Sequence, residues 1–307
     1  MLDVQNLSIS FSSYTFGLKK MEVKAIRSLD LSVAKKEVLA VVGQSGAGKS
    51  LLAHALLGVL PKNASISGNL VFKDKKLTPG DIARLRGREI ALIPQSMTYL
   101  NPLLKVGVQI SRAAELSGID SKESRKATLE ALQRYRLKEE ISQWFPFQLS
   151  GGMARRILTA TATIGGADLI LADEPTNGLD KKNARETLGH LRELADTGKA
   201  VLLITHDIEA ALFIADRVTV FCGGVTVEDA LAGDFNGSGR LRHPYSKALW
   251  DALPGKGFVE SLPVRWPVSS NHGCPFTVFC KKVTKDCEDY LPDLENLNKG
   301  RVRCHYA

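Results

Sequence analysis

Residues 43–50 of this 307-residue chain read Gly43-Gln44-Ser45-Gly46-Ala47-Gly48-Lys49-Ser50 and match the pattern G-x-x-x-x-G-K-[ST] in full. Glycines let backbone N–H groups turn inward around phosphate oxygens, and the N-terminus of a following helix favours the same anion. The apolar run 38–42 predicts a buried strand before the loop, and residues 50–60 predict a helix after it that stops at Pro61. The sequence therefore predicts a phosphate-binding loop in which Lys49 contacts the β- and γ-phosphates and Ser50 binds Mg²⁺.

A second apolar run, residues 169–172, ends in two carboxylates, Asp173 and Glu174. An acid at a strand tip downstream of a phosphate loop can bind the Mg²⁺ hydration shell, which is the role that we predict for Asp173. The next carboxylate can orient or deprotonate an attacking water, and we assign this role to Glu174. Alone, an apolar strand that ends in Asp-Glu is a weak signal, and the phosphate loop upstream makes it strong.

Strand-like and helix-like segments alternate along most of the chain. Residues 4–11 and 29–33 alternate as strands do, and residues 200–204 form another apolar run of strand length. Helical stretches lie between the apolar runs, which predicts a parallel sheet in an α/β domain. Residues 105–165 are rich in Ala, Leu, Lys and Glu and predict a helical insert, which we place at about residues 96–165.

The composition is that of an ordinary globular protein, with 44% hydrophobic and 24% charged residues. The net charge is +8, which can indicate nucleic acid or an anionic membrane surface as a partner. The basic residues are dispersed apart from small clusters at 73–76 and 84–88, which favours a solvated surface with a mild preference for anionic lipid. The sequence contains no apolar run of eighteen residues and no secretory signal at its start. We therefore expect a cytoplasmic location.

Residues 149–153 (Leu-Ser-Gly-Gly-Met) resemble the LSGGQ-type signature of ABC ATPases. In the order typical of that family, Gln95 resembles the Q-loop glutamine, residues 177–180 resemble the D-loop, and His206 resembles the switch histidine. The resemblance covers about residues 1–235. It implies an α/β P-loop domain with a RecA-like core, a β subdomain and a helical insert.

The resemblance also implies that ATP is bound between two ATPase subunits. His206 would contact the γ-phosphate and help to place the water, and Gln95 would contact Mg²⁺ or the water and relay its state to the helical insert. Asp180 would act across the seam of the dimer. The signature residues that would face the γ-phosphate bound by the partner are Ser150, Gly151 and Gly152.

Two features depart from the family pattern or leave it ambiguous. The family more often has Gln where this chain has Arg155, so the local contacts of Arg155 are open. The aromatic residue that stacks on adenine is also open. Phe11 best fits the family position, and Tyr14 and Phe16 lie in a longer loop nearby.

Three further segments resemble the ATPases of dipeptide, oligopeptide and nickel importers. Residues 97–102 (Met-Thr-Tyr-Leu-Asn-Pro) resemble their M-T-S-L-N-P stretch, and residues 243–249 (His-Pro-Tyr-Ser-Lys-Ala-Leu) resemble the start of their C-terminal extension. Residues 273–276 (Gly-Cys-Pro-Phe), with the later cysteines, resemble the pattern that ends many of them. The resemblance implies that the solute is a peptide, nickel, a nickel chelate or a similar small molecule.

The last part of the chain differs in composition, and we place a domain boundary there, with an extension over residues 236–307. It carries Cys274, Cys280, Cys287 and Cys304, separated by five, six and sixteen residues. This spacing fits zinc poorly, because structural zinc sites usually pair their ligands as C-x₂₋₄-C, whereas four thiolates from irregular loops can hold a [4Fe–4S] cluster. Relatives with the same cysteine set are expected to hold such a cluster. Zinc and free thiols stay as alternatives.

The leading hypothesis is therefore the ATPase subunit of an importer. The resemblance implies a second ATPase subunit as a homo- or heterodimer partner, two integral membrane permeases, an extracytoplasmic solute-binding protein, and a peripheral position on the cytoplasmic face of the membrane. The alternative is a soluble ABC ATPase that acts on nucleic acid or the ribosome. Such proteins usually carry two nucleotide sites, whereas this chain has one set of motifs. An exporter is disfavoured because exporters commonly fuse the ATPase to membrane spans.

Overall fold

The computed structural model describes residues 1–14, 20–44, 46–237, 239–253, 272–297 and 299–307. The chain divides into two compact units. Unit 1 comprises Met1–Val33, Leu39–Leu77 and Thr205–Ala307, and unit 2 comprises Ala34–Val38 and Thr78–Ile204. The described parts of the predicted extension belong to unit 1, and the boundary at residue 236 stays a prediction.

The strands are β1 (Leu2–Tyr14), β2 (Lys20–Val33), β3 (Val38–Val42), β4 (Ala64–Phe72), β5 (Lys75–Lys76), β6 (Ile90–Ile93), β7 (Leu169–Asp173), β8 (Ala200–Thr205), β9 (Arg217–Cys222), β10 (Val225–Leu231), β11 (Glu295–Leu297) and β12 (Gly300–Val302). The α-helices are α1 (Lys49–Leu56), α2 (Pro79–Leu85), α3 (Val106–Ser117), α4 (Ser121–Arg134), α5 (Gly151–Thr163), α6 (Lys181–Asp196), α7 (Ile208–Ile214), α8 (Pro244–Asp251) and α9 (Lys285–Asp289). Short 3₁₀ helices lie at Met97–Tyr99, Glu139–Gln143, Pro146–Gln148, Ala232–Phe235 and Thr277–Phe279.

Unit 1 contains an antiparallel region formed by β1, β2, β4 and β5. Strand β1 pairs with β2 on one side and with β4 on the other, and β4 pairs with β5. Val4, Leu7 and Ile9 are fully buried, whereas Gln5 and Asn6 are exposed. The alternation of faces shifts at Asn6, where the register of β1 with β2 and β4 also shifts. This is the β subdomain that the family resemblance implies.

The remaining strands of unit 1 support the phosphate loop. Strand β3 pairs in parallel with β9, and β9 pairs antiparallel with β10, which also pairs with β12. The short hairpin β11–β12 therefore adds to the edge of β10. The strand order in this unit is β5-β4-β1-β2-β10-β9-β3.

Unit 2 contains a parallel sheet in the order β8-β7-β6. All side chains of β7 and β8 are buried, which is typical of parallel strands that are covered on both faces. This agrees with the parallel arrangement predicted from the apolar runs.

The helices predicted within residues 105–165 are present as α3, α4 and α5. Their apolar faces meet in one core that includes Val106, Ile110, Leu132 and Ile157, all fully buried. Tyr135 is also in this core, and its hydroxyl group shares a 2.9 Å hydrogen bond with the hydroxyl of Thr163. The predicted insert thus folds around a core of its own.

The helix after the phosphate loop is shorter than predicted. It ends at Leu56 instead of continuing to Leu60. Gly58 has a φ of 64°, and its N–H donates to the carbonyl of Ala55. A left-handed glycine directly after a helix is a common stop signal, so the chain leaves the helix before it reaches Pro61. Over the ranges that the structure describes, every helix is too short or too polar to cross a lipid bilayer.

Candidate nucleotide-binding site

The phosphate loop begins where the buried strand β3 ends. All five side chains of β3 are buried, which fixes the starting point of the loop. At Gly43 the backbone passes so close to Phe221 that an added Cβ would lie 2.0 Å from the Phe221 carbonyl oxygen. Only glycine allows this approach. Gly48, with a φ of 95°, then forms the N-cap of α1.

Lys49 is the first residue of α1 and is 6% exposed. Its ammonium group donates hydrogen bonds to the carbonyl oxygens of Gly43 (2.7 Å) and Gln44 (3.0 Å). The side chain therefore lies along the loop and places a positive charge beside the N-terminus of α1. A cation and a helix N-terminus together favour an anion such as a phosphate group.

The structure describes most of the other loop residues. The Ala47 N–H donates to the Gln44 carbonyl at 3.2 Å, and Gly46 is exposed, with nothing within 4 Å of an added Cβ. Ser50 is the second residue of α1 and is half-buried. Ser45 lies outside the described residues, so its phosphate contact stays a prediction.

His206 follows β8 directly and is exposed. The adjacent turn is held by two side chains: the Thr205 hydroxyl accepts a 3.0 Å hydrogen bond from the Asp207 N–H, and the Asp207 carboxylate accepts one from the Ala210 N–H. Asp207 is thus the N-cap of α7. These two hydrogen bonds order the backbone next to His206, whose side chain is exposed.

Phe11 lies within β1 and is half-buried, and its backbone is in register with Val23 of β2 and Ala64 of β4. Its ring is therefore partly available to a ligand. Phe16 lies outside the described residues, as does the side chain of Tyr14. The choice of the aromatic residue that stacks on adenine stays a prediction.

In unit 2, the two predicted carboxylates lie at the end of strand β7: Asp173 is its last residue, and Glu174 follows directly. Asp173 is 6% exposed and Glu174 is 8% exposed. Glu174 has a φ of 46°, and its N–H donates a 2.8 Å hydrogen bond to the Ile204 carbonyl. A left-handed glutamate is uncommon, and such outliers cluster at functional sites. The neighbouring strand therefore holds Glu174 in a backbone conformation that its sequence alone does not favour.

The exposed residue Gln95 and the signature lie in the same unit. The Ser150 hydroxyl accepts a hydrogen bond from the Met153 N–H and so forms the N-cap of α5. Ser150 and Gly151 are exposed, and an added Cβ at Gly151 would meet nothing within 4 Å. Gly152 is half-buried, and an added Cβ would lie 3.4 Å from the Asn183 side chain. The signature therefore lies at the start of α5, where the N-terminus of the helix is exposed to solvent.

Arg155, whose contacts the sequence left open, connects three of the predicted motifs. It lies on the signature helix α5 and is 4% exposed. Its guanidinium donates hydrogen bonds to the carbonyl oxygens of Pro94 (2.8 Å), Gln95 (2.9 Å) and Asn177 (3.2 Å). Burial lowers the pKa of Arg155, but arginine keeps its charge in proteins. The residue therefore ties the signature helix to the Gln95 loop and to the loop before Asp180.

Asp180 is the N-cap of α6 and is exposed. Its carboxylate accepts hydrogen bonds from the N–H groups of Lys182 (2.9 Å) and Asn183 (3.0 Å) and from the Asn183 side chain. These hydrogen bonds, chiefly those from Asn183, lower the pKa of Asp180. The group is therefore an anion held at a helix N-terminus, where its charge is favourable.

The four terminal cysteines line one cavity in unit 1 together with His243 and His305. The cavity volume is about 20 Å³, which is room for one water molecule. Among the described residues, no group of three or more His, Cys, Asp or Glu side chains is placed to hold a metal ion. Burial raises the pKa of the Cys274 thiol to about 11.

The structure brings the predicted residues together in two sets. Unit 1 holds Phe11, the phosphate loop, His206 and the four terminal cysteines, and unit 2 holds Gln95, the signature, Asp173, Glu174 and Asp180. Sequence reasoning missed the partners of Arg155 and the hydrogen bond between the phosphate loop and Tyr245, which belongs to the H-P-Y segment. Both contacts use backbone groups, which leave no pattern in a sequence.

A buried strand, a glycine-rich loop and a helix that begins with Lys-Ser define a P-loop nucleotide-binding protein. The sequence model of the ABC transporter family matches residues 26–177. Over 321 residues the chain is 33% identical to the oligopeptide transport ATP-binding protein AppD of Bacillus subtilis (strain 168), covering 99% of this chain and 96% of that protein. It is 34% identical over 320 residues to the dipeptide transport ATP-binding protein DppD of Haemophilus influenzae (strain ATCC 51907 / DSM 11121 / KW20 / Rd), covering 99% and 95%.

Among solved structures, the fold is similar to the dimeric structure of MJ0796, a bacterial ABC transporter cassette. The TM-score is 0.65 and the identity 25%, with 76% of this chain and 99% of that chain covered. A post-hydrolysis dimer of the same cassette, bound to ADP and Pi, matches at 26% identity and a TM-score of 0.65, covering 76% of this chain and 99% of that chain. The chain belongs to the ABC transporter family and is an ABC-type ATPase.

Proposed function

We propose that this chain is the ATP-hydrolysing subunit of an ABC importer of peptides. The observation that carries the proposal is the match, over 99% of the chain, to an oligopeptide transport ATP-binding protein. A match of that length extends well past the ATPase motifs and into the C-terminal extension. The relatives described above are named for peptide transport and not for nickel, so peptides are the preferred solute, and a role on nucleic acid or the ribosome is not favoured.

At the ATP site, Lys49 would neutralise phosphate charge, and Ser50 would bind Mg²⁺. Asp173 would hold the hydration shell of the metal, Glu174 would orient or deprotonate the attacking water, and Gln95 would contact the metal or the water. The left-handed backbone of Glu174 supports this assignment, because strained positions persist where function requires them. The other predicted contacts of the nucleotide are those of Phe11, His206, Asp180 and the loop amides.

A second ATPase subunit would complete the site. The exposed start of α5 supports this proposal, because Ser150 and Gly151 present a helix N-terminus to solvent with open space around it. A helix N-terminus favours an anion, and the γ-phosphate of ATP on the partner subunit would supply one. The two subunits would then bind ATP between them and hydrolyse it slowly when separated.

The permeases would dock on the helical part of unit 2. Leu103 is 82% exposed and Phe147 is 76% exposed, and the Phe147 ring stacks on Phe145 at 5.6 Å. Contiguous exposed apolar patches mark interaction surfaces, and we propose that Leu103 and Phe147 belong to such a patch. We expect Leu103→Asp to abolish co-purification with the membrane permeases. Leu231→Asp, at an exposed leucine of unit 1, is the matched control and should leave co-purification intact.

The function is tested by uptake of labelled di- and oligopeptides in cells from which the gene for this chain has been deleted. The restored wild-type chain should support uptake, and Glu174→Gln should abolish it. Glu209→Gln, at an exposed carboxylate on α7, is the control and should transport normally. Uptake of nickel without uptake of any peptide would overturn the peptide assignment, and normal peptide uptake by Glu174→Gln would overturn the assigned base.

We further propose that Cys274, Cys280, Cys287 and Cys304 bind a [4Fe–4S] cluster that stabilises residues 272–307. The donor set supports this, because the four thiols line a common cavity. Each cysteine of such a cluster binds a different iron, so the sulfurs need not converge on one point. Bound, the cluster would supply folding free energy to a segment with few apolar runs, and phosphate chemistry does not require its electrons.

This proposal is tested by anaerobic purification followed by iron, sulfide and zinc analysis. We expect about four irons and four sulfides per chain, lost in Cys280→Ser. Cys222→Ser is the matched control, because Cys222 is fully buried but does not line the cavity. Stoichiometric zinc without sulfide, or four thiols that react fully with an alkylating reagent, would overturn the cluster.

A further inference from the structure

The H-P-Y segment has no place in the ATP chemistry described above, yet its tyrosine is among the most deeply buried side chains. Tyr245 is 0% exposed and lies in the first turn of α8. The turn is held by His243, whose Nδ1 accepts a 3.0 Å hydrogen bond from the Tyr245 N–H. His243 is held in turn by Glu228, whose carboxylate accepts hydrogen bonds from the N–H groups of Arg242 (2.8 Å) and His243 (3.0 Å).

The hydroxyl group of Tyr245 reaches the phosphate loop. It accepts a 3.2 Å hydrogen bond from the N–H of Gln44, the second residue of the loop. The carbonyl oxygen of Gln44 accepts the hydrogen bond from the Lys49 ammonium group at 3.0 Å. The main chain at Gln44 is therefore fixed through its N–H and its carbonyl by two different side chains.

Packing alone does not require this hydroxyl group. The Tyr245 ring packs against Phe276 with the ring centres 5.5 Å apart, and a phenylalanine would make the same contact. A buried hydroxyl is costly unless it is hydrogen-bonded. Burial raises the pKa of Tyr245, so the group stays a neutral hydroxyl. The hydroxyl accepts the hydrogen bond of the Gln44 N–H, and a phenylalanine could not.

We propose that Tyr245 is a positioning residue for nucleotide binding, whose hydroxyl group holds the first peptide of the phosphate loop in place. It acts through Gln44 and does not contact the nucleotide. The inference deepens the proposed function and rests on nucleotide binding at residues 43–50. Helix α8 would then contribute to ATP binding. Nucleotide binding and the ordering of the α8 backbone would be coupled through the hydrogen bond between Gln44 and Tyr245.

The first test compares Tyr245→Phe with the wild-type full chain by titration with Mg-ATP and Mg-ADP. Loss of this one hydrogen bond should weaken both nucleotides about threefold to tenfold. Tyr135→Phe is the matched control, because Tyr135 is also fully buried and its hydroxyl shares a hydrogen bond with Thr163 in unit 2. Both variants should melt at similar temperatures, and only Tyr245→Phe should lose nucleotide affinity.

The second test measures the coupling first in the wild-type chain and then in Tyr245→Phe. Saturating Mg-ATP should slow amide hydrogen exchange in residues 244–251, because both ends of the Tyr245 hydrogen bond become more ordered. Tyr245→Phe should lose this protection while keeping the protection of α1. Wild-type affinity in Tyr245→Phe, or no ATP-dependent protection of α8 in the wild type, would overturn the inference. If the wild-type chain bound no ATP, the proposed function would fail together with it.

Discussion

Replacing Arg155 by Met should destabilise unit 2 and reduce ATP hydrolysis while leaving nucleotide binding largely intact. Met has a similar length, fills much of the same volume and lacks donors. The change removes the hydrogen bonds to the carbonyl oxygens of Pro94, Gln95 and Asn177. It therefore frees the Gln95 loop and the loop before Asp180 from the signature helix. The hydrogen bonds of the Lys49 ammonium group to the Gly43 and Gln44 carbonyls do not involve Arg155, so we expect them to persist.

The expected loss in the free energy of unfolding follows from the number and the kind of hydrogen bonds that Arg155→Met removes. A hydrogen bond that involves a charged group contributes about 1.5–3 kcal/mol, and three such bonds are lost. The desolvation of the buried guanidinium, seen in its lowered pKa, offsets part of this gain in the wild-type chain. We expect a net loss of about 2–4 kcal/mol in the free energy of unfolding, close to the cost of breaking a buried charged network. This corresponds to a fall in Tm of about 5–10 °C.

The assay is calorimetric unfolding without nucleotide, followed by basal ATPase activity and Mg-ATP titration of the folded protein. Arg156→Met is the control, because Arg156 is the next residue of α5 and makes only longer hydrogen bonds, to the carbonyls of Gly152 (3.3 Å) and Arg136 (3.5 Å). It should cost less than about 1 kcal/mol. Equal melting temperatures for the two variants, or an ATP affinity that falls as far as the hydrolysis rate, would refute the reasoning.

Further predictions concern the carboxylate, the signature and a buried acid. Glu174→Gln should keep ATP binding and lower hydrolysis about 10²–10⁴-fold, whereas Lys49→Ala should weaken binding itself; single-turnover rates and nucleotide titration separate the two. Gly151→Ala should leave the melting temperature within about 1 °C, since an added Cβ meets nothing within 4 Å, but should lower ATPase activity in the assembled transporter. Burial raises the pKa of Glu228 above its ordinary value of 4.5, so its contribution to stability is full below that pH and is lost as the pH rises through the raised pKa. The unfolding free energy of Glu228→Gln, measured from pH 4 to pH 8, should lack this decline; a pH-independent difference from the wild type would contradict the assignment.

The sequence by itself determined the phosphate loop, the carboxylate pair, the signature and the α/β class. These features depend on residue types at consecutive positions: glycines that allow the backbone to approach phosphate, a lysine and a serine at a helix start, and an apolar strand that ends in two acids. The local chemistry requires those residues in that order, so the order is sufficient to predict the site. The helical insert could also be predicted, because its composition favours helix over a long window.

Only the tertiary structure decided how these motifs are held. Arg155 bonds to Pro94, 61 residues away, and Tyr245 bonds to Gln44 across 201 residues. The acceptor at Pro94 is a backbone carbonyl, and the donor at Gln44 is a backbone N–H. Because such groups occur along the whole backbone, no residue type marks them in the sequence. The left-handed conformation of Glu174 is likewise imposed from outside, by the hydrogen bond of its N–H to Ile204. Such contacts exist only once distant segments are packed together, because the folded chain and not the local sequence sets which backbone groups meet.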